Sequence, residues 1–239
     1  MTFRWPTEID SVTVPYGRAA LDLQSLVTAG TADRWVAIVA LAHSSDPLAL
    51  RCLGDLGSSP DSHVRRFVVQ WIGRCPNGAK LSHVVVERLR DPSGIVVRTA
   101  AQVAGELAIH EAHANVLALL RDTSPSTRQA GLQALEKLWE ESDFETVLAM
   151  FRGDASEEVR RTAGWTLRGT RTAGRASALV ELWLADPLAR HRSWACEIAA
   201  EFSQRQFHDG LTCLEEDVDG HVRKSARRAL EAIGRAVNP

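Results

Sequence analysis

The stretch Asp154-Ala155-Ser156-Glu157-Glu158-Val159-Arg160-Arg161-Thr162-Ala163 decides the fold, because near copies of it stand elsewhere in the 239-residue chain. One is Asp217-Val218-Asp219-Gly220-His221-Val222-Arg223-Lys224-Ser225-Ala226. Another is Asp91-Pro92-Ser93-Gly94-Ile95-Val96-Val97-Arg98-Thr99-Ala100-Ala101. Working outward from these, an arginine recurs at Arg34, Arg65, Arg98, Arg128, Arg160, Arg192 and Arg223, in steps of 31, 33, 30, 32, 32 and 31 residues. Three positions after each stands a small or apolar residue: Ala37, Val68, Ala101, Gly131, Ala163, Ala195 and Ala226. A sustained period in this range is the sequence signature of a stacked-repeat architecture.

Each period divides into two helical stretches. The first is short and apolar on one face, as in Leu81–Arg90, Asn115–Arg121 and Asp143–Arg152. A turn follows that carries Asp91, Asp122, Asp154, Asp186 or Asp217, where a carboxylate can accept backbone N–H bonds and cap the second helix. In that helix the positions three, six, seven and ten after the arginine are mostly apolar or small, as in Ala195, Ile198, Ala199 and Phe202 or Ala226, Ala229, Leu230 and Ile233. This is one face of a 3.6-residue period. A lone helix pair cannot bury such a stripe, but seven stacked pairs form a continuous core. The expected fold is all-α: a curved α-solenoid of about seven two-helix repeats, with residues 1–16 as an N-terminal extension and 17–239 as a single repeat domain.

The Asp, the Val-Arg about six residues on, and the following Ala resemble the HEAT-repeat family, in particular the short bacterial HEAT-like repeats also seen in phycobilisome-lyase-type proteins. The resemblance covers about residues 17–236. The Thr-Pro-Leu-His turn of ankyrin repeats and the Trp/Leu/Gly/Tyr pattern of tetratricopeptide repeats are absent. Departures are the first repeat, which lacks the Asp at its usual offset, and Thr127 and His191, which replace the valine. The resemblance implies that the repeated Asp and Arg tie turns and adjacent repeats together, so that Arg98→Ala should reduce stability more than binding.

Composition sets outer bounds. A hydrophobic share of 45% and a charged share of 24% suit a folded domain with a sizeable core, and a formal charge of −2 gives no global pull toward nucleic acid or anionic membrane. No stretch approaches the length of a transmembrane helix, and Met1–Pro6 does not open a secretory signal. Cys52, Cys75, Cys196 and Cys213 form no CxxC pair and are expected to be reduced, buried small hydrophobes in a cytoplasmic protein.

No catalytic constellation stands out, and no cofactor is expected. His110-Glu111-Ala112-His113 places two imidazoles three apart around a carboxylate, but it lacks the spacing of a helical zinc pair and is read as a polar inter-repeat turn. The HEAT-like iron enzyme deoxyhypusine hydroxylase uses several symmetrically repeated His-Glu pairs, whereas one stands here. Trp139 and Asp143 resemble the aromatic-plus-carboxylate pairing of the HEAT-like alkylpurine DNA glycosylases, the alternative function, although Asp143 also reads as the N-cap of the next helix. A lyase-like or chaperone-like role rests on the repeat type alone.

The arginine register picks out a different face. Val159–Val180 carries Arg160, Arg161, Arg168, Arg171 and Arg175, with Trp165 among them and no acidic residue. Arg161, Trp165 and Arg168 fall on the non-core face of the second helix, which in HEAT-like stacks lines the inner curve. The same face offers Arg66 and Gln70, Gln129 and Gln133, Glu197, and Lys224 and Arg228. Of the seven tryptophans, Trp71 and Trp183 fall on apolar stripes, while Trp35, Trp165 and Trp194 are candidates for a surface role. The expected function is a noncatalytic scaffold that grips another protein, one with an acidic surface, along this face.

Overall fold

The computed structural model describes residues 18–30 and 33–235, so the extension read at residues 1–16 lies outside the described residues. These form fourteen α-helices with no strand among the described residues. In chain order they make seven pairs: α1 (Arg18–Thr28) with α2 (Arg34–His43), α3 (Pro47–Leu56) with α4 (Ser62–Ile72), and α5 (Ser82–Arg88) with α6 (Gly94–Glu106). Next come α7 (His113–Leu119) with α8 (Pro125–Leu135), and α9 (Phe144–Gly153) with α10 (Glu157–Gly169). Last are α11 (Ala173–Trp183) with α12 (Ala189–Glu201), and α13 (His208–Cys213) with α14 (Gly220–Arg235). The chain packs as two compact units. One runs to Asp143 and takes in Ala149–Thr162; the other holds Phe144–Leu148 and continues from Ala163.

Within each unit the second helices stack on one another and on their own first helices: α6 lies against α4, α5 and α8, and α12 against α11 and α14. The apolar stripe read from the sequence forms these contacts. Val64, Val68, Val69 and Ile72 of α4 are buried, as are Val222, Ala226, Ala229 and Ile233 of α14. Small residues set the spacing. A Cβ at Gly105 of α6 would stand 3.1 Å from the Ala134 Cα of α8, so the two helices meet almost backbone to backbone there. Two helix ends turn through residues without the freedom of glycine: Ala108 after α6 (φ 48°) and Ser203 after α12 (φ 49°). In both, a backbone N–H closes the last turn, Ile109 onto the Ala104 carbonyl at 2.9 Å and Gln204 onto that of Ala199 at 2.8 Å.

The recurring arginine occupies a fixed place. It is the fourth residue of α4, α8, α10, α12 and α14 (Arg65, Arg128, Arg160, Arg192 and Arg223). One guanidinium nitrogen donates back to two carbonyls of the preceding turn. Arg65 Nη1 reaches those of Ser59 and Pro60 at 2.8 and 3.0 Å, Arg128 Nη1 those of Asp122 and Thr123 at 2.9 and 3.1 Å. The rest of the fork reaches the aspartate of the next repeat. Arg65 donates to Asp91 at 2.7 and 2.8 Å, Arg128 to Asp154 at 2.8 and 2.7 Å, and Arg192 to Asp217 at 2.6 and 2.8 Å. Arg34 makes one such bond, to Asp61 at 3.1 Å.

Each of these turn aspartates also accepts the backbone N–H two residues on, as from Ser93, Ser156 and Asp219 at 2.9, 2.9 and 2.8 Å. The carboxylate therefore shapes the turn before the second helix; in α6 the N-cap position itself belongs to Ser93. Planar bidentate pairing is the strong form of an ion pair. The bond from Arg128 holds Asp154 below the usual carboxylate pKa against the opposing effect of burial, and that from Arg192 does the same for Asp217. At Asp91 burial is the largest influence and acts upward, but the bonds from Arg65 and the Ser93 N–H together carry the group down.

Arg98 does not belong to this ladder. α6 starts at Gly94, so its fourth residue is Val97, buried like the rest of the stripe, and Arg98 is the fifth. One residue turns a side chain by about 100° around a helix. Arg98 makes no hydrogen bond or ion pair among the described residues, and Asp122 shapes its turn through the Ser124 N–H at 2.8 Å without a guanidinium from the repeat before. The expectation that Arg98 is a structural anchor is thus overturned.

Candidate partner-binding faces

Rotation by one position moves Arg98 into the column directly after the ladder, where Arg66 of α4 and Gln129 of α8 also stand. Four positions further come Gln70, Gln102 and Gln133. In the first unit these columns border a groove of about 560 Å³ between α6 and α8, with Arg66 at its edge. Arg98, Gln102, Gln129, Gln133 and Lys137 line it, together with Thr99, Ser126 and Glu106; Gly105 and Ala134 contribute its small residues. Gln102 Nε2 donates to Glu106 at 2.7 Å, and Gln129 Nε2 to the Thr162 hydroxyl at 3.3 Å. Arg66, Gln70 and Gln133 have no hydrogen-bond or ion-pair partner among the described residues. Sequence reading missed Arg98, Gln102 and Lys137. The signal was present as the uneven steps of 33 and 30 residues around Arg98, which become 32 and 31 when counted through Val97.

The basic run from Val159 looks different once folded. Arg161 is exposed on α10 and makes no side-chain hydrogen bond or ion pair among the described residues. In the second unit, Arg168 pairs with Glu197 at 2.7 Å and Arg171 with Glu201 at 2.7 Å, while Arg175 lies 3.6 Å from Glu145 and 4.4 Å over the Phe144 ring. Carboxylates from distant parts of the sequence thus meet charges that look unopposed along the chain.

Trp165 is 47% exposed, yet its ring meets that of Trp194 edge-on at 4.6 Å, and the Arg168 guanidinium lies over both rings at 5.7 and 5.3 Å. Trp194 continues inward to Trp183 and to His191 at 5.3 and 4.9 Å. Trp194 is buried, which corrects its placement among surface candidates, and Trp71 is half-buried among His43 and Phe67. Trp35 is half-buried too, against Phe67 and beneath Arg34. His191, in the valine position, is buried with Nδ1 3.1 Å from Asp186, and burial lowers its pKa. Lys224 and Arg228 are exposed on α14 without a side-chain partner among the described residues.

Other candidates resolve into structure. His113 Nε2 lies 2.9 Å from the buried Asp143 carboxylate, which also accepts the Glu140 N–H at 2.9 Å. Asp143 stands at the N-cap position of α9, as read, but its side chain makes no capping bond to that helix. No group of three metal-ligating side chains is gathered among the described residues. Cys52, Cys75 and Cys196 are buried, and burial pushes the Cys196 thiol up to about 12; Cys213, expected inside, is exposed.

Paired helices of constant period, locked by an arginine–aspartate ladder, define a helical repeat solenoid. Within it, residues 82–168 match the family model of HEAT repeats. Among solved structures, the archaeal HEAT-like repeats protein from Thermococcus onnurineus NA1 is 13% identical over 94% of this chain and 100% of its own, with a TM-score of 0.61. The complex of CpcE and CpcF of phycocyanin lyase from Nostoc sp. PCC7120 is 15% identical over 98% of this chain and 99% of that chain, with a TM-score of 0.52. An engineered protein scores 0.58 at 18% identity, over 91% of this chain and 68% of its own. At these identities the likeness concerns the fold. No curated protein matches the sequence significantly.

Proposed function

We propose that this chain is a noncatalytic scaffold that binds another protein through the exposed face of its second helices. One observation carries the reading: the cationic side chains divide by position. Arginines in the ladder spend their donors inside the fold, as Arg65, Arg128 and Arg192 do. In the column just after the ladder, Arg66, Arg98, Arg161 and Lys224 have no hydrogen-bond or ion-pair partner among the described residues. Groups kept out of the fold's own bonding, on a face whose residues change from repeat to repeat, are what a binding surface requires. The surplus of cations in this column favours a partner with an acidic surface.

Site-specific photo-crosslinking in extract of the native host tests the reading. A crosslinker at Gln70, Gln133 or Arg228 should capture one discrete protein, whereas one at the exposed first-helix positions Ala118 and Glu181 should not. Equal capture from both sets, or none from the second-helix set, would overturn it.

A further inference from the structure

We infer that the groove between α6 and α8 takes an extended acidic segment of a partner protein, with Arg98 as its central anion contact and Arg66 and Lys137 flanking. The inference rests on the scaffold reading above and deepens it for one place. Charge comes first: three cations, Arg66, Arg98 and Lys137, line the groove against the single carboxylate of Glu106. That carboxylate already accepts the Gln102 amide at 2.7 Å. Of the cations, Arg66 and Arg98 have no carboxylate within ion-pair distance. Arginine presents a planar fork matched to a carboxylate, so two unspent forks in one groove favour Asp or Glu side chains.

The amides point to a peptide. Gln133 is exposed with no partner, and a side-chain amide offers both a donor and an acceptor to a peptide bond. The groove floor is narrow where Gly105 meets Ala134, which brings an occupant close to the helices, and Ile95, 37% exposed, gives its rim an apolar contact. Successive second helices lie about 10 Å apart, so the path from Arg66 past Arg98 to Gln133 spans about 20 Å, or about six extended residues.

Nucleic acid fits less well. Duplex binding commonly neutralises about 6–10 phosphates, more than this groove's cations serve, and single strands are held by stacking on aromatic rings, none of which lines it.

The full chain would be titrated into a fluorescein-labelled peptide of alternating Glu and Ser, about ten residues long, and followed by anisotropy at about 50 mM salt. The matched Lys-Ser peptide and a single-stranded DNA of about the same span serve as competing probes. Expected is saturable binding of the acidic peptide with Kd of about 100 μM or tighter, weakened about tenfold by Arg66→Gln with Arg98→Gln. Lys224→Gln with Arg228→Gln removes the same charge from the second unit and should leave affinity within about twofold. All four side chains lack partners in the fold, so both variants should keep the parent melting temperature, and circular dichroism checks this. The inference is overturned if the acidic peptide does not saturate below about 1 mM, if both pairs weaken it equally, or if either competing probe binds more tightly through the same arginines. Should it fall while second-helix crosslinks still capture a partner, the scaffold reading stands and the groove assignment alone is wrong.

Discussion

The groove on α6 and α8 and the tryptophan–arginine cluster on α10 and α12 both carry arginines on second helices, and those arginines have opposite fates. Along the sequence the second is conspicuous: Trp165 and Arg168 sit in a run of arginines with no acidic neighbour. Folded, Arg168 is held by Glu197 and lies over the Trp165 and Trp194 rings, so its charge is largely used within the unit. Arg66 and Arg98, 32 positions apart in the sequence, belong to no such run, yet their guanidinium groups have no hydrogen-bond or ion-pair partner among the described residues. In a repeat protein the nearest neighbour of a side chain is often one period away. Local charge density is therefore a poor guide to surface charge, and register is a better one.

The strongest way to break the comparison is at the ladder, which supplies its baseline of spent arginines. Arg65→Leu should cost about 3 kcal/mol in urea unfolding, because the Asp91 side chain it leaves is fully buried and keeps only the longer contact to Arg88 at 3.6 Å. The loss should be smaller for Arg34→Leu, since that pair makes a single bond and is about one-third exposed on both sides. If the two variants unfold at the same urea concentration, burial is not what gives the ladder its value.

Next in size is the response to acid. Asp91, Asp154 and Asp217 all have folded-state pKa values below the ordinary carboxylate value. As pH falls, the unfolded chain takes up these protons first. The stabilisation is complete above a pH of about 4–5 and is lost as pH drops through the lowered folded values. His191 adds an earlier step of the same sign. Burial lowers its pKa, so its contribution is present above about 6.5 and declines as pH falls below that. Thermal unfolding between pH 8 and 2 should show a shallow loss that Arg128→Gln leaves in place and His191→Gln removes. It should also show a steep acid loss that Arg128→Gln reduces. A shallow step surviving His191→Gln would assign it to another group.

Much of this architecture was legible in the sequence, and the reasons are local. Helix pairing follows from apolar period, and the Asp–Arg spacing repeats because each turn solves the same hydrogen-bonding problem. The same register put Arg66, Gln129 and Gln133 on the non-core face of the second helices, and all three line the groove. Legibility fails where partners come from another repeat. Glu197 and Glu201 stand about thirty residues beyond the arginines they neutralise, and nothing near Arg168 or Arg171 announces them. Trp194 looked exposed because the repeats on either side carry Thr162 and Ser225 in its column, but in its repeat it packs against Trp165, Trp183 and His191. Arg98 was misread because the eye anchors on the arginine, whereas the helix counts from its first residue.

Within the cluster, Trp165→Ala removes an edge-on ring contact worth about 0.5–1.5 kcal/mol beyond the area it covers. A measurable fall in the melting temperature of the second unit is expected, along with a change in tryptophan fluorescence as Trp194 becomes wetter. Glu197→Gln should cost less, about 0.5 kcal/mol, since that pair is solvent-exposed. It frees Arg168, and so converts part of the cluster toward the condition of the groove. If Trp165→Ala leaves melting and fluorescence unchanged, the ring is not packed and its exposed edge belongs with the unspent groups.

The smallest effect should come from Arg98→Ala, and its smallness is what separates the two registers. Were Arg98 a ladder arginine, its loss would strip a turn of two carbonyl bonds and a carboxylate of its fork, as at Arg128, and unfolding would shift by several kcal/mol. Placed fifth in α6, it gives up no bond among the described residues, and alanine is the better helix former by a few tenths of a kcal/mol. The change in unfolding free energy should therefore stay within about 0.5 kcal/mol of zero. Val97→Asp is the complementary measurement: a carboxylate in this buried position should destabilise severely. A severe effect at Arg98 with a mild one at Val97 would return the anchor to the arginine; the reverse order fixes it at the valine.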